Sequence, residues 1–450
     1  MKCPPWPKGK KLVHLDLKGA PPRVEYLHKL IELFSELGVN GLLVEYEDMF
    51  PYEGQLKLLQ ATVHPAYSRE EVLSMQELAR SKGMEVIPLV QTFGHMEFVL
   101  KHPHMWNLRE AGHCVGTLNP HKEDSLKLVM EMLRQVVELH PGLNTLHIGA
   151  DEVYMLGEGE ESKLWLASSG HTVEQLFLSH VTKVAKAIKE AWPHMTIIMW
   201  DDMMRGMSEA TLKASGLVGL VQPMLWDYTP NLDVDKTVCL LEKYCSAGMS
   251  DVWAASSFKG STSVFTCVCS TQRHLDNHLQ WLKVAALLSA AVSLKGIAIT
   301  GWQRYDHLSV LCELLPVALP SLAACLLTLL HGQFGAEVSS RVSEKLGIPS
   351  VEVSAPAVYL VLWCLLSCFF LVLQVCQRMV ESVPPTEEDG DPAHLHAGAQ
   401  SSFNVSMSFQ NMCFSVASET SLVLNVWFLI SIKQRIASFL VFPSGLVSGI

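Results

Sequence analysis

Eight short apolar runs, each followed by a longer segment with helical spacing, constrain the fold of this 450-residue chain more than any other feature. Apolar runs of this length that end in polar or aromatic residues are typical of buried parallel strands. They cover residues 12–17, 41–46, 85–91, 145–151, 196–201, 217–226, 251–255 and 296–302. The helical segments include residues 25–37, 69–82, 123–139, 173–191 and 308–330.

Eight strands that alternate with helices predict an α/β fold of the (β/α)8 TIM barrel type. A doubly wound sheet is the alternative, but no Gly-x-Gly-x-x-Gly follows the first strand, and eight regular units favour closure. We predict a catalytic barrel over residues 11–335 and a linker or terminal helix over 336–356. An atypical apolar tail, partly disordered, is expected over 357–450.

The tail differs in composition from the rest of the chain. Residues 351–450 hold 3 of the 34 Lys and Arg residues and 7 of the 45 Asp and Glu residues. Residues 357–375, AVYLVLWCLLSCFFLVLQV, carry no formal charge and are long enough to span a bilayer. Membrane association through 357–375 is one expectation, and an apolar tail without a membrane role is the other. A third alternative is a catalytically impaired, membrane-associated variant.

Charge and cysteine pattern narrow the function classes. A formal net charge of −11 argues against a nucleic-acid binder, whose basic surface is missing. The N-terminal segment has no apolar stretch of signal length, so a cytoplasmic protein is expected, with the nucleus as a further location. The 12 cysteines are scattered without a C-x-x-C pair, which indicates free thiols rather than a zinc clip.

Residues that can carry chemistry cluster where the eight runs end, and the carboxyl ends of barrel strands are where such folds place active sites. In chain order they are Asp16, Lys18, Glu45, Glu47, Asp48, Gln91, His95, Glu97, Asp151, Glu152, Trp200, Asp201, Asp202, Trp226, Asp227, Tyr228, Trp253, Phe258, Lys259, Trp302, Arg304, Tyr305, Asp306 and His307. Four tryptophans among them are typical of walls for a sugar ring, whose C–H faces pack on indoles.

The adjacent carboxylates Asp151 and Glu152 are the most informative pair. Two carboxylates at the end of a buried strand are costly unless they are paired or used. Strand alternation would send them to opposite faces, but a turning chain lets both reach one pocket. Neighbouring carboxylates also move each other's pKa apart, so we expect the acidity of Glu152 to be weakened while Asp151 stays ionised. A helix N-cap role is the structural alternative.

The segment HIGADEV (147–153) resembles the H-x-G-x-D-E signature of family 20 glycoside hydrolases, the β-N-acetylhexosaminidases. Further segments are similar to a non-lysosomal branch of that family, and the resemblance covers roughly residues 11–350. They are LVHLDLKGAPP (12–22), GLLVEYEDMFPYEG (41–54), VIPLVQTFGHMEFVLKH (86–102), MLWDY (224–228), VWAASSFKG (252–260) and TGWQRYDHLSVLCELLP (300–316).

The resemblance implies retaining, substrate-assisted hydrolysis of terminal N-acetylhexosamine, either GalNAc or GlcNAc, from glycoconjugates, with no metal and no cofactor. Glu152 would be the general acid and base, and Asp151 would orient the 2-acetamido group. The implied substrate-binding residues are Trp200, Trp226, Trp302, Tyr228, His95, Asp16, Lys18, Asp227 and Tyr305.

Two features depart from the family pattern. Asp16 and Lys18 occupy the stretch where lysosomal-type members carry a sugar-gripping Arg, and Lys lacks the rigid guanidinium fork. Phe258 stands where the family's acetamido-binding Tyr is expected, so Tyr228 or Tyr305 would substitute, with Tyr228 preferred.

Two further possibilities stay open at this point. A metal-dependent barrel hydrolase would use His14, Asp16, His95, His147 and Asp201 as ligands, and a chelator would distinguish it. A homodimer is also compatible with the sequence.

Overall fold

The computed structural model describes residues 3–351, apart from positions 8, 63, 64, 265 and 267. Eight parallel strands follow one another in sequence order and close into a barrel, in which the last strand pairs with the first. The strands are β1 (Lys10–Asp16), β2 (Gly41–Glu45), β3 (Glu85–Leu89), β4 (Thr145–His147), β5 (Thr196–Trp200), β6 (Val221–Trp226), β7 (Asp251–Lys259) and β8 (Ser293–Gly301). The predicted (β/α)8 barrel is confirmed.

Helices on the outside connect the strands. They are α1 (Val24–Glu36), α2 (Arg69–Ser81), α3 (Glu97–Leu100), α4 (Glu123–Glu138), α5 (Glu160–Ser169), α6 (Val173–Ala191), α7 (Glu209–Ala214), α8 (Val234–Ser246), α9 (Thr271–Leu287), α10 (Leu315–His331) and α11 (Ala336–Leu346). Helix α2 begins with a capping box, in which Ser68 and Glu71 each satisfy the backbone N–H of the other. Among the described residues, no helix is both long and apolar enough to cross a membrane.

The core has two layers. One lies between the strands and the helices, and it takes up the apolar faces of both. The other fills the barrel, where side chains such as Leu43, Ile198, Trp200 and Trp253 pack together, and Trp226 and Trp302 pack against this layer. Trp253, one of the four strand-end tryptophans, is therefore core filling rather than an exposed pocket wall, since it is 3% exposed.

Several element boundaries differ from the sequence pattern, and three of them have a clear physical reason. Strand β4 ends at His147, four residues before the end of its apolar run, because the chain turns there. Strand β7 continues to Lys259, since the buried Ser256 and Ser257 find side-chain partners and need not end it. Helix α10 begins at Leu315 rather than 308 and has a proline in its first turn, a position that tolerates the missing N–H.

The C-terminal expectations are only partly visible. Helix α11 lies within the predicted linker or terminal-helix region 336–356. The predicted tail 357–450, including the candidate membrane segment 357–375, lies outside the described residues. The domain limits therefore stay predictions.

Candidate active site

The turn after β4 brings the two adjacent carboxylates to one imidazole. Backbone φ is positive at Gly149 (63°), Ala150 (65°) and Glu152 (44°), so the strand alternation is broken there. Nε2 of His95 lies 3.3 Å from Oδ2 of Asp151 and 3.3 Å from Oε2 of Glu152. Both carboxylates thus face one side of the turn, as the sequence predicts.

Two glycines allow this turn to pack closely against its neighbours. A Cβ on Gly149 would overlap Oε1 of Gln91, and φ there lies in the region that favours glycine. A Cβ on Gly94 would overlap the carbonyl oxygen of Asp151. The glycine of the H-x-G-x-D-E motif is therefore required by geometry, and Gly94 lets the loop that carries His95 reach the carboxylates.

The electrostatics of the pair differ from the sequence-based expectation. Burial alone would lower the pKa of His95, but the charge of Asp151 and hydrogen bonds to Asp151 and Glu152 raise it well above its usual value. The hydrogen bond from His95 lowers the pKa of Glu152 against the opposing effect of burial. The expectation that Asp151 weakens the acidity of Glu152 is thus wrong for the free site, because an intervening cation outweighs the repulsion between the carboxylates.

Asp202, one of the strand-end residues for which the sequence predicts no substrate or catalytic role, is a carboxyl group with a raised pKa beside the pair. Its Oδ2 accepts a hydrogen bond from the backbone N–H of Glu152 (2.9 Å), and its Oδ1 accepts one from Nε1 of Trp226 (3.3 Å). Burial and the charge of Asp151 raise its pKa to about 7. Its position at the end of β5 was the available signal, but nothing in the sequence pairs it with Glu152.

A second imidazole supports the first. The rings of His95 and His307 stack with centroids 5.2 Å apart. Nε2 of His307 lies 3.0 Å from Glu47, and Nδ1 lies 3.5 Å from Glu97. His95 follows β3 and His307 follows β8, so the two residues are far apart in sequence. Their contact is visible only in the closed barrel.

Lys18 is held within a group of carboxylates. Its Nζ lies 2.9 Å from Asp16, 3.4 Å from Glu47 and 4.0 Å from Glu45. Burial alone would lower the pKa of Lys18, but these three charges raise it well above its usual value. The ammonium also lies 5.6 Å from the ring centroid of Trp302.

Asp16 has a structural partner as well. Its Oδ2 accepts a hydrogen bond from the backbone N–H of Gln303 (2.8 Å), directly after Trp302. Asp16 therefore connects Lys18 to the turn that carries this tryptophan.

The aromatic residues form one connected group. Trp200 is fully buried, and its ring centroid lies 6.1 Å from that of Trp302. Trp226 stacks on Tyr228 with centroids 5.3 Å apart, and Nε1 of Trp302 donates a hydrogen bond to the Tyr228 hydroxyl (3.2 Å). Trp226, Tyr228 and Trp302 are half-buried and so present surface to a ligand.

Two residues predicted to bind substrate lie apart from these contacts. Tyr305 is 52% exposed, and the carboxylate of Asp227 accepts hydrogen bonds from the N–H and the hydroxyl of Thr229. Of the two candidate tyrosines, Tyr228 is the one bonded to the aromatic group. The substrate roles of all these residues stay predictions.

The five candidate metal ligands from the sequence do not converge among the described residues. His14 lies 3.1 Å from Glu45, Asp16 binds Lys18, and Asp201 forms a two-point ion pair with Arg205. Another set near the pair, namely His95, Glu97 and His307, does bring three potential ligand atoms within 4.8 Å of one another.

A barrel with paired carboxylates and indole walls at the carboxyl ends of its strands is the architecture of a glycoside hydrolase. Residues 41–228 match the sequence profile of glycosyl hydrolase family 20, catalytic domain. Human hexosaminidase D is 55% identical over 346 residues, which are 77% of this chain and 71% of that protein. Bovine hexosaminidase D is 54% identical over 342 residues, which are 76% of this chain and 98% of that protein. The chain belongs to glycosyl hydrolase family 20.

Solved structures agree on the fold. The β-N-acetylhexosaminidase of Bacteroides fragilis NCTC 9343 superposes with a TM-score of 0.55 at 15% identity, covering 75% of this chain and 70% of that one. The enzyme of Streptomyces coelicolor A3(2) gives a TM-score of 0.53 at 14% identity, covering 78% of this chain and 72% of that one. At these identities the likeness supports the barrel alone.

Proposed function

We propose that this chain is a retaining β-N-acetylhexosaminidase that releases terminal, non-reducing N-acetylhexosamine from glycoconjugates by substrate-assisted catalysis. The convergence of Asp151 and Glu152 on His95 supports this most directly, because it joins an acid and a charge stabiliser in one hydrogen-bonded group. The family membership and its hexosaminidase D relatives support the same substrate class.

The two carboxylates differ in exposure, and this difference supports the roles proposed for them. The side chain of Glu152 is 38% exposed, whereas that of Asp151 is 9% exposed. A proton donor has to reach the leaving oxygen of an incoming glycoside, which suits Glu152. A group that holds the acetamido N–H deep in the pocket suits Asp151.

The reaction follows from these positions. Glu152 gives its proton to the glycosidic oxygen as the bond to the anomeric carbon breaks, and the acetamido oxygen forms a new bond to that carbon. Asp151 accepts a hydrogen bond from the acetamido N–H and stabilises the positive charge of the resulting oxazolinium ring. Glu152, now a carboxylate, takes a proton from water as the water opens the ring. The β configuration is retained because two displacements occur.

His95 supplies a proton reservoir for this cycle. It lies half-buried between the two carboxylates, which raise its pKa well above the usual value, so it is protonated at neutral pH. In the free site this cation keeps Glu152 ionised. When a substrate binds, its glycosidic oxygen needs a proton, and this favours transfer of the proton from His95 to Glu152.

The test compares two neighbouring glutamates. Glu152→Gln is expected to lower turnover of an aryl N-acetylhexosaminide by about 10²–10⁴-fold, the usual contribution of a general acid. Glu158→Gln is the matched control, because Glu158 is exposed in the same loop and only approaches Lys163 at 3.9 Å. Near-normal turnover of folded Glu152→Gln protein would refute the assignment. Running both variants on the GalNAc and GlcNAc glycosides also establishes the preferred sugar.

The cellular location and the oligomeric state of the chain are also proposals. We expect the cytoplasm and nucleus, with membrane association through 357–375 as the alternative, and a homodimer. Cell fractionation of the full chain beside a version that ends at residue 351 tests the location, since a tail-dependent presence in the membrane fraction supports an anchor.

A further inference from the structure

A second cluster of ligand-type side chains lies apart from the catalytic pair. Cys269 precedes α9, His274 lies in its first turn, and Glu313 precedes α10. One potential ligand atom from each lies within 4.8 Å of those from the other two. No zinc motif is visible in the sequence here, because Glu313 comes from a different segment of the chain than Cys269 and His274.

Two atoms of this cluster are buried without a partner. His274 is 0% exposed and Glu313 is 2% exposed. Among the described residues, neither Nε2 of His274 nor Oε1 of Glu313 has a hydrogen-bond partner. Unpaired buried polar atoms are costly and call for an explanation, such as an ion that they bind.

The remaining polar atoms of the same side chains are held in place. Nδ1 of His274 lies 3.2 Å from Oγ of Ser257, which in turn lies 2.7 Å from Oγ of Ser261. The other carboxylate oxygen of Glu313 accepts a hydrogen bond from the N–H of Gly260. A histidine whose second nitrogen is fixed by an outer hydrogen bond is the usual arrangement in metal sites.

Two cations, Lys259 and Arg273, interact electrostatically with Glu313, but neither hydrogen-bonds to these two atoms. Among the described residues, Nε of Arg273 itself has no hydrogen-bond partner. Lys259 is buried and interacts electrostatically with Cys269 and Glu313. Its Nζ nevertheless donates to the carbonyl of Trp302 (2.5 Å) and to Oε1 of Gln303 (2.9 Å). The lysine supports the turn that carries Trp302, and the free oxygen of Glu313 stays open.

We propose that Cys269, His274 and Glu313 bind one Zn²⁺, with the fourth position open to water. One sulfur, one nitrogen and one oxygen donor suit zinc, whereas calcium and magnesium prefer oxygen alone. The ion would tie the loop after β7 to α9 and to the turn before α10. Its role is structural, since all catalytic steps proposed above use other residues.

The experiment measures metal in the full chain. After expression with zinc and dialysis against metal-free buffer, about one zinc per chain is expected by elemental analysis. Replacement by Co²⁺ should give the charge-transfer absorption of a cobalt–thiolate bond. Glu152→Gln should retain the bound zinc and the cobalt–thiolate absorption. The zinc site is therefore tested independently of the proposed function.

Variants locate the site. Cys269→Ser should lose the cobalt–thiolate band and His274→Gln should lose most of the metal, whereas Cys239→Ser, an exposed thiol on α8, should keep both. A folded wild-type chain without zinc and without a cobalt–thiolate band would overturn the proposal. The band persisting in Cys269→Ser would overturn it too. Should the variants not fold, the wild-type measurements decide.

Discussion

His95 is the residue that joins the acid, the acetamido-orienting carboxylate and the second imidazole of His307. Its backbone has a φ of 52°, an uncommon conformation for a residue with a side chain. The conformation is held because the ring contacts Asp151, Glu152 and His307 at the same time. Strain held by several contacts is typical of functional sites.

Removing this imidazole should change the pH profile in a defined direction. In the unchanged chain the proton that the reaction needs rests on His95, whose pKa is raised well above its usual value. In His95→Asn that proton can rest only on the Glu152 carboxyl, which loses it at lower pH, so the alkaline limb of kcat/KM should move downward, while kcat falls because Asp151 loses its support. Asparagine is chosen because it tolerates positive φ.

The control for this profile is His104→Asn, which changes an exposed histidine nearby. Its pH profile should match that of the unchanged chain. An alkaline limb that stays in place or moves upward in His95→Asn would contradict the proposed proton transfer from His95 to Glu152.

At the scale of elements, the turn after β4 decides whether the catalytic pair is presented. Gly149→Ala should force its new methyl against Gln91 at a positive φ, and should destabilise the chain by about 1–3 kcal/mol. Denaturant unfolding measures this effect. Gly112→Ala is the control, since a Cβ there meets nothing within 4 Å. Equal stability of the two variants would show that the turn is not tightly fitted.

Sequence patterns predicted the elements better than their junctions. Apolar runs gave all eight strands, because a strand buried on both faces needs no polar alternation. The sequence does not predict the extension of β7, because two serines are typical of a strand end. The structure shows that Ser256 and Ser257 each have a buried histidine partner, so the strand continues. The same limit applies at the site. Asp151 and Glu152 are neighbours in sequence, whereas Asp202 reaches Glu152 through the pairing of β4 with β5, and His307 reaches His95 only because the barrel closes.

For the whole molecule, buried neutral histidines predict sensitivity to mild acid. Burial lowers the pKa of His140, His180 and His278 to about 4 and that of His147 to about 3. The unfolded chain takes up these protons near the ordinary value of 6.5, and the folded chain does not. Their contribution to stability is therefore complete above about pH 6.5 and is lost as the pH falls toward 4.

Urea unfolding between pH 7.5 and 5 measures this loss. Each such histidine should add about 1.4 kcal/mol per pH unit to the slope below pH 6. Asp202 has the opposite effect on the slope, because its raised pKa lets the folded chain bind one proton that the unfolded chain does not bind at this pH. His140→Gln, which lies away from the catalytic pair, should reduce the slope. A free energy of unfolding that stays level or rises as the pH falls would contradict the prediction.

In the proposed reaction the substrate's own acetamido oxygen attacks the anomeric carbon while Asp151 and Glu152 assist. Turnover of aryl glycosides whose 2-acetamido group carries zero, one, two or three fluorines tests this most directly, since fluorine weakens that oxygen as a nucleophile. We predict that kcat falls steeply with each fluorine added. A kcat that is independent of fluorination would contradict the account, because it would mean that a protein group or water attacks instead.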